Sequence, residues 1–231
     1  MPADIPPVPP SRLCPYAREV LELLAGHAAA AEIVIGGGVA LSHYLEYRDT
    51  FDLHAWWATA PTSSARELMG RAMQTVAERH RLTFNRRTWG DTESYELGDG
   101  QRKVFSLQIA SRDRFLEPTL EAAWPPVRLE TLRDNVASKM TALVERGAPR
   151  DLRDVHHLCR SDIFSATECR QVYREKNPGQ DVQTAADKVL HSVERLEMQR
   201  PLDTIESQDD RLQAAAVRAW YRDVFCKSVF A

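Results

Sequence analysis

Asp52 and His54 stand two residues apart in a stretch of alternating polarity that runs from Thr50 to Ala58. In an extended strand this spacing turns both side chains, with Trp56, to one face, and Phe51, Leu53, Ala55 and Trp57 to the other. A carboxylate beside an imidazole on one strand face suits a metal ion or a phosphate. Upstream, Gly36, Gly37 and Gly38 follow a short β-branched run, Glu32 to Ile35, and precede a helix-compatible segment, Val39 to Tyr47. Glycines between strand and helix let the backbone approach a phosphate closely. The same triplet also reads as a plain tight turn.

A second group lies further along. Asn135, Lys139, Ala142 and Arg146 fall on one line of a helix, next to the apolar stripe of Leu132, Val136, Met140 and Leu143. Asp151 and Asp154, three residues apart, share a helix face. Taken alone, Lys139 and Arg146 read as a solvated helix edge, and the two aspartates as a charge pair favoured by the helix dipole. His156 and His157 are adjacent and diverge on a helix. Ser42 beside His43 lacks the glycine elbow of a nucleophilic serine. One of Trp56 and Trp57 belongs to the core, and the other is free to stack on a base. Cys14, Cys159, Cys169 and Cys226 form no CxxC pair, which predicts free thiols in a reducing compartment, with Cys159 and Cys169 as buried fillers.

The elements that must position these residues follow from periodicity. A helix is expected within Ser11 to Ala30, with Ser11 as its cap, and another over Ser63 to His80. Three β-like segments, Leu82 to Trp89, Thr92 to Leu97 and Arg102 to Ala110, place sheet in the middle of the chain, with a turn at Gly98-Asp99-Gly100. From Leu129 onward the period is helical, with helices expected over Asp151 to Cys159, Ala166 to Lys176, Val182 to Met198 and Gln208 to Lys227. The expected architecture is α+β, a mixed sheet flanked by helices and followed by a helical C-terminal domain. Its expected divisions are an extended proline-rich arm over 1–10, an α+β domain over 11–127 and a helical domain over 128–231.

The chain has 231 residues, 43% hydrophobic and 27% charged, which excludes disordered and fibrous classes. A formal net charge of −3 removes the generic case for a nucleic-acid coat or a polybasic membrane binder. Residues 128–160 nevertheless carry seven Lys or Arg against five Asp or Glu. That mild positive bias is compatible with RNA. The proline-rich start has neither a signal-peptide core nor an Arg-rich transit character, and no apolar run is long enough to span a bilayer. A cytoplasmic location is the expectation.

Two blocks carry a family resemblance. Gly37-Gly38-Val39-Ala40-Leu41, followed by Tyr47-Arg48-Asp49-Thr50-Phe51-Asp52-Leu53-His54, resembles the "GGTAL … HR-x-[ST]-x-D-[IL]-D" opening of the AbiEii/AbiGii-type nucleotidyltransferases, a branch of the polymerase-β-like superfamily. Residues 129–158, through Lys139, Arg146, Arg150, Asp151 and Asp154, resemble that family's "K-x-x-A-[LI]-x-x-R-x-x-x-[KR]-D-x-x-D" block. The likeness spans roughly residues 30–160, and the C-terminal 70 or so residues share only helicity.

The resemblance implies a toxin of a type IV toxin–antitoxin or abortive-infection system that moves a nucleotidyl group from a nucleoside triphosphate to an RNA such as tRNA, or to a protein hydroxyl. By the same resemblance Asp52 and His54 occupy the metal positions for Mg²⁺, with Mn²⁺ as the alternative ion. Gly36, Gly37, Gly38, Arg48, Thr50 and Arg146 fall at nucleotide-binding positions, and Asp52, Lys139, Asp151 and Asp154 at catalytic ones. A cognate antitoxin is the implied partner. The chain departs from the pattern where His54 replaces the second strand carboxylate, and where Val104, Ser106 and Gln108 replace a third acid. An imidazole is a poor ligand for a hard cation. The second expectation is therefore a catalytically degenerate module that binds nucleotide, RNA or a partner protein without turnover.

Overall fold

The structure is a computed structural model and describes residues 5–112 and 114–229; the first four residues of the expected arm lie outside them. The chain divides into two compact units, Ile5–Asn135 and the residues from Val136 onward. The division falls inside one helix.

The first unit is built on a mixed sheet. Among the described residues seven strands pair in the order β3-β4-β5-β2-β1-β7-β6. They are β1 (Ile33–Gly36), β2 (Asp52–Trp57), β3 (Thr83–Trp89), β4 (Thr92–Gly98), β5 (Lys103–Ser111), β6 (Leu120–Glu121) and β7 (Arg128–Leu129). β2 runs parallel to β5 and β1 parallel to β7, while the remaining pairs are antiparallel. Strict alternation decides the two faces. Leu53, Ala55, Trp57, Tyr95, Leu97, Phe105, Leu107 and Ile109 are all buried. Against this apolar face lie α1 (Pro15–Leu24) and α3 (Ser63–His80): Tyr16 packs 6.0 Å from Phe105, and Arg66 reaches the buried Glu93 at 2.8 Å. Glu93 also binds Arg86 at 2.8 Å and accepts from the Tyr95 hydroxyl, so this buried acid is met by two guanidinium groups. The opposite face carries Asp52, His54, Trp56, Val104, Ser106 and Gln108, none of them fully buried.

Local chemistry explains where most elements begin. Thr62 accepts from the Ala65 N–H to cap α3, and Arg81 at φ 54° closes the other end. The first helix starts at Pro15 rather than Ser11, because proline at the first turn needs no N–H partner. Ser11 instead donates to Glu46 at 2.6 Å and fastens the preceding segment. Phe51 lies outside the strand expected from Thr50 and is 60% exposed, so β2 starts at Asp52. The helix after the glycines, α2, is short (Gly37–Ser42), and Gly36 ends β1. β6 and β7 are two-residue strands, too short to show any period in sequence.

α4 (Leu132–Glu145) carries the unit division. The second unit continues with α5 (Pro149–Arg160), α6 (Ala166–Lys176), α7 (Val182–Gln199), α8 (Gln208–Trp220) and α9 (Cys226–Val229). Ser165 and Glu168 form a reciprocal cap on α6, and Asp181 and Ser207 cap α7 and α8. The stretch expected as one helix from Gln208 to Lys227 is interrupted by a π-helical turn at Tyr221–Phe225. The wider turn re-aims the side chains. Tyr221 and Phe225 both enter the core, their rings 5.1 Å apart, and the Tyr221 hydroxyl donates to the Leu152 carbonyl at 2.9 Å. Cys159 and Cys169, expected as buried fillers, meet with their sulfurs 3.8 Å apart; Cys169 is buried, whereas Cys159 is only half-buried. Among the described residues no helix is long and apolar enough to cross a membrane.

Candidate active site

The glycine turn and the open face of β2 meet through backbone pairing. Gly36 on β1 pairs with His54 on β2. Gly37 adopts φ +61°, and a Cβ there would lie 2.9 Å from the Cβ of His54. At Gly38 a Cβ would lie 2.9 Å from the Thr50 methyl and 3.3 Å from an Arg48 guanidinium nitrogen. No side chain larger than hydrogen fits at these positions. Arg48 in turn donates to the Thr50 hydroxyl at 3.3 Å. Seven residues singled out in the sequence, Gly36, Gly37, Gly38, Arg48, Thr50, Asp52 and His54, thus form one cluster in the first unit. Thr50 is buried, whereas the side chains of Asp52 and His54 are 29% and 31% exposed.

Asp52 Oδ2 lies 3.5 Å from His54 Nε2. The parallel register sets Ser106 beside Asp52 and Gln108 beside His54. One carboxylate therefore faces outward from the two central strands. Among the described residues no three His, Cys, Asp or Glu side chains gather into a metal-holding group. Mg²⁺ is often held by one or two carboxylates plus substrate phosphates and water. Asp52 fits such a role for a single cation. The donor set does not fit a two-metal cage, because His54 supplies a nitrogen and Ser106 and Gln108 carry no charge.

The residues of the second block pair with one another inside the second unit. Lys139 Nζ lies 2.7 Å from Asp154 Oδ2, with side-chain exposures of 9% and 0%. The solvated-edge reading fails for this lysine. Arg146, just past α4, grips Asp151 through two hydrogen bonds of 2.7 and 2.9 Å. Asp151 is buried, and its carboxylate also accepts the Ala148 N–H at 3.2 Å. His156 stacks edge-on against Trp220 at 5.0 Å, while His157 Nε2 faces the Ser161 hydroxyl at 3.4 Å.

Sequence reasoning missed a buried polar group behind the glycines. Glu130, fully buried, is ion-paired with Arg112 and accepts from Asn135 Nδ2 at 3.0 Å. The Arg112 guanidinium lies 4.3 Å from the ring centre of Trp56. Burial draws its pKa down to about 10, still far enough above neutrality to leave it cationic. Tyr44 donates its hydroxyl to the Glu130 carbonyl at 2.8 Å, and burial raises its pKa, keeping the proton in place. A Cβ at Gly36 would collide with Trp56 Nε1 and come within 3.0 Å of Glu130 Oε2. The sequence held little signal for this group: Arg112 falls just past the segment read as strand, and Glu130 sits at the start of the stretch read as helical although α4 begins only at Leu132.

A glycine junction, an arginine and a strand carboxylate thus lie together in the first unit. The family model described as "Nucleotidyl transferase AbiEii toxin, Type IV TA system" matches residues 19–223, and the chain belongs to that family. The match takes in most of the C-terminal helices, well past the residues 30–160 that carried the resemblance. A search among curated proteins returned no match.

Proposed function

We propose that the protein transfers a nucleotidyl group from a nucleoside triphosphate to a hydroxyl on RNA, with tRNA as the leading acceptor and a protein hydroxyl as the other. The observation that carries this reading is the cluster of Gly36, Gly37, Gly38, Arg48 and Thr50 against Asp52 in a chain of this family. Arg48 and the glycine backbone bind the triphosphate, and Thr50 braces Arg48. Asp52 holds one Mg²⁺ or Mn²⁺, which when bound offsets charge on the reacting phosphate. Lys139 and Arg146, which the family resemblance assigns to phosphate and nucleotide binding, are held within their own unit by Asp154 and Asp151, 2.7 Å away in each case. A cognate antitoxin is proposed as the partner that restrains this activity.

The test is label transfer from each nucleoside triphosphate to total tRNA with Mg²⁺ or Mn²⁺. Asp52→Asn should abolish transfer while leaving the fold intact, because Asp52 is partly exposed. Lys139→Arg keeps the charge beside Asp154 and should retain the fold with transfer reduced about tenfold or more. Nucleotide binding without transfer under either ion would favour the degenerate module, which His54, Ser106 and Gln108 motivate. Neither binding nor transfer would sink both readings.

A further inference from the structure

We infer that Asn135 is a positioning residue for the triphosphate, acting through the peptide between Gly37 and Gly38. This rests on the reading of the glycine turn as the phosphate site. Asn135 is fully buried and its Nδ2 donates twice, to the Gly37 carbonyl at 3.0 Å and to Glu130 Oε2 at 3.0 Å. No described residue donates to its Oδ1. A rotated amide would set that oxygen against the Gly37 carbonyl and the Glu130 carboxylate, so the acceptor is left unsatisfied in order to keep both donors engaged. Glu130 is itself fixed. Its carboxylate is paired with Arg112, its N–H donates to the Ile35 carbonyl at 3.0 Å, and its carbonyl accepts from Tyr44.

In a trans peptide the C=O and the following N–H point in opposite directions. Holding the Gly37 carbonyl on the Asn135 side therefore turns the Gly38 N–H away from Asn135. Gly37, at φ +61°, opens α2, and Asn135 adds a hold on its carbonyl from 98 residues downstream.

The measurement is calorimetric binding of the four nucleoside triphosphates, paired with thermal unfolding, on the full chain. Asn135→Leu keeps the approximate shape and removes both donors. Trp57→Phe is the comparator, since it deletes a buried donor to the Asp91 carbonyl (2.8 Å) from the opposite face of β2. Asn135→Leu should weaken the best triphosphate about tenfold or more while Trp57→Phe, also less stable, stays within about twofold of wild type. Asn135→Ser replaces the leucine variant if that chain does not fold. Equal affinities in all three proteins would overturn the inference and leave the proposed function standing. A wild-type chain that binds no triphosphate would overturn both.

Discussion

The aspartate and histidine of β2 differ from the lysine and aspartate of the second block in what removal costs. Asp52 sits at the surface of the open face, so its substitution reads out chemistry. Lys139 is buried against Asp154, and Lys139→Met takes the ammonium away from a buried carboxylate, a loss of about 3–5 kcal/mol. Chemical denaturation should show that loss for Lys139→Met and little change for Asp52→Asn. The cysteines divide similarly. Burial raises the pKa of Cys226 to about 12, and the Cys159 sulfur together with burial raises that of Cys169. Under native conditions iodoacetamide should label neither at a rate matching a free thiol, and both should react at once in denaturant.

Elements were legible where a period runs long and opaque where only tertiary contacts define them. α3 and α6 were read from their periodicity, though Thr62, Ser165 and Glu168 cap them, while the cap read at Ser11 was misplaced; the alternation around Asp52 fixed which side chains share a face. β6 and β7 are too short to be read, and the link from Asn135 to Gly37 has no local signature. The α4–α5 connection shows the same limit. Gly147 is buried at φ +53°, and a Cβ there would collide with the Ser192 side chain on α7. Gly147→Ala should cost about 1–3 kcal/mol from backbone strain alone, with crowding in addition, seen as a lower unfolding midpoint in urea.

At the scale of the whole molecule, three buried or half-buried histidines make stability depend on pH. Burial lowers the pKa of His43 below its ordinary 6.5, and likewise that of His156, helped by Arg160 and His157, and that of His157, opposed by Asp154. His43 donates Nδ1–H to the Val39 carbonyl at 2.9 Å, and no described residue accepts from its Nε2, so a second proton there has nowhere to bond. The unfolded chain takes up protons near pH 6.5 that the folded chain resists. This contribution to stability is full above that pH and falls away as the solution is acidified through the depressed folded values. Thermal midpoints should drop between about pH 7.5 and 5.5. His43→Phe should flatten that slope; an unchanged slope would remove His43 from the account.

The tie from Asn135 back to Gly37 also bears on biosynthesis. β1 and β2 leave the ribosome long before the amide that sets the glycine peptide, and β7, which flanks β1, arrives only just ahead of that amide. A nascent chain holding Asp52 and all three glycines still lacks the amide that holds the Gly37 carbonyl. If the proposed transfer is harmful to its host, the order of synthesis itself imposes a delay: the Gly37 carbonyl gains its amide partner only after the chain has been made through Asn135.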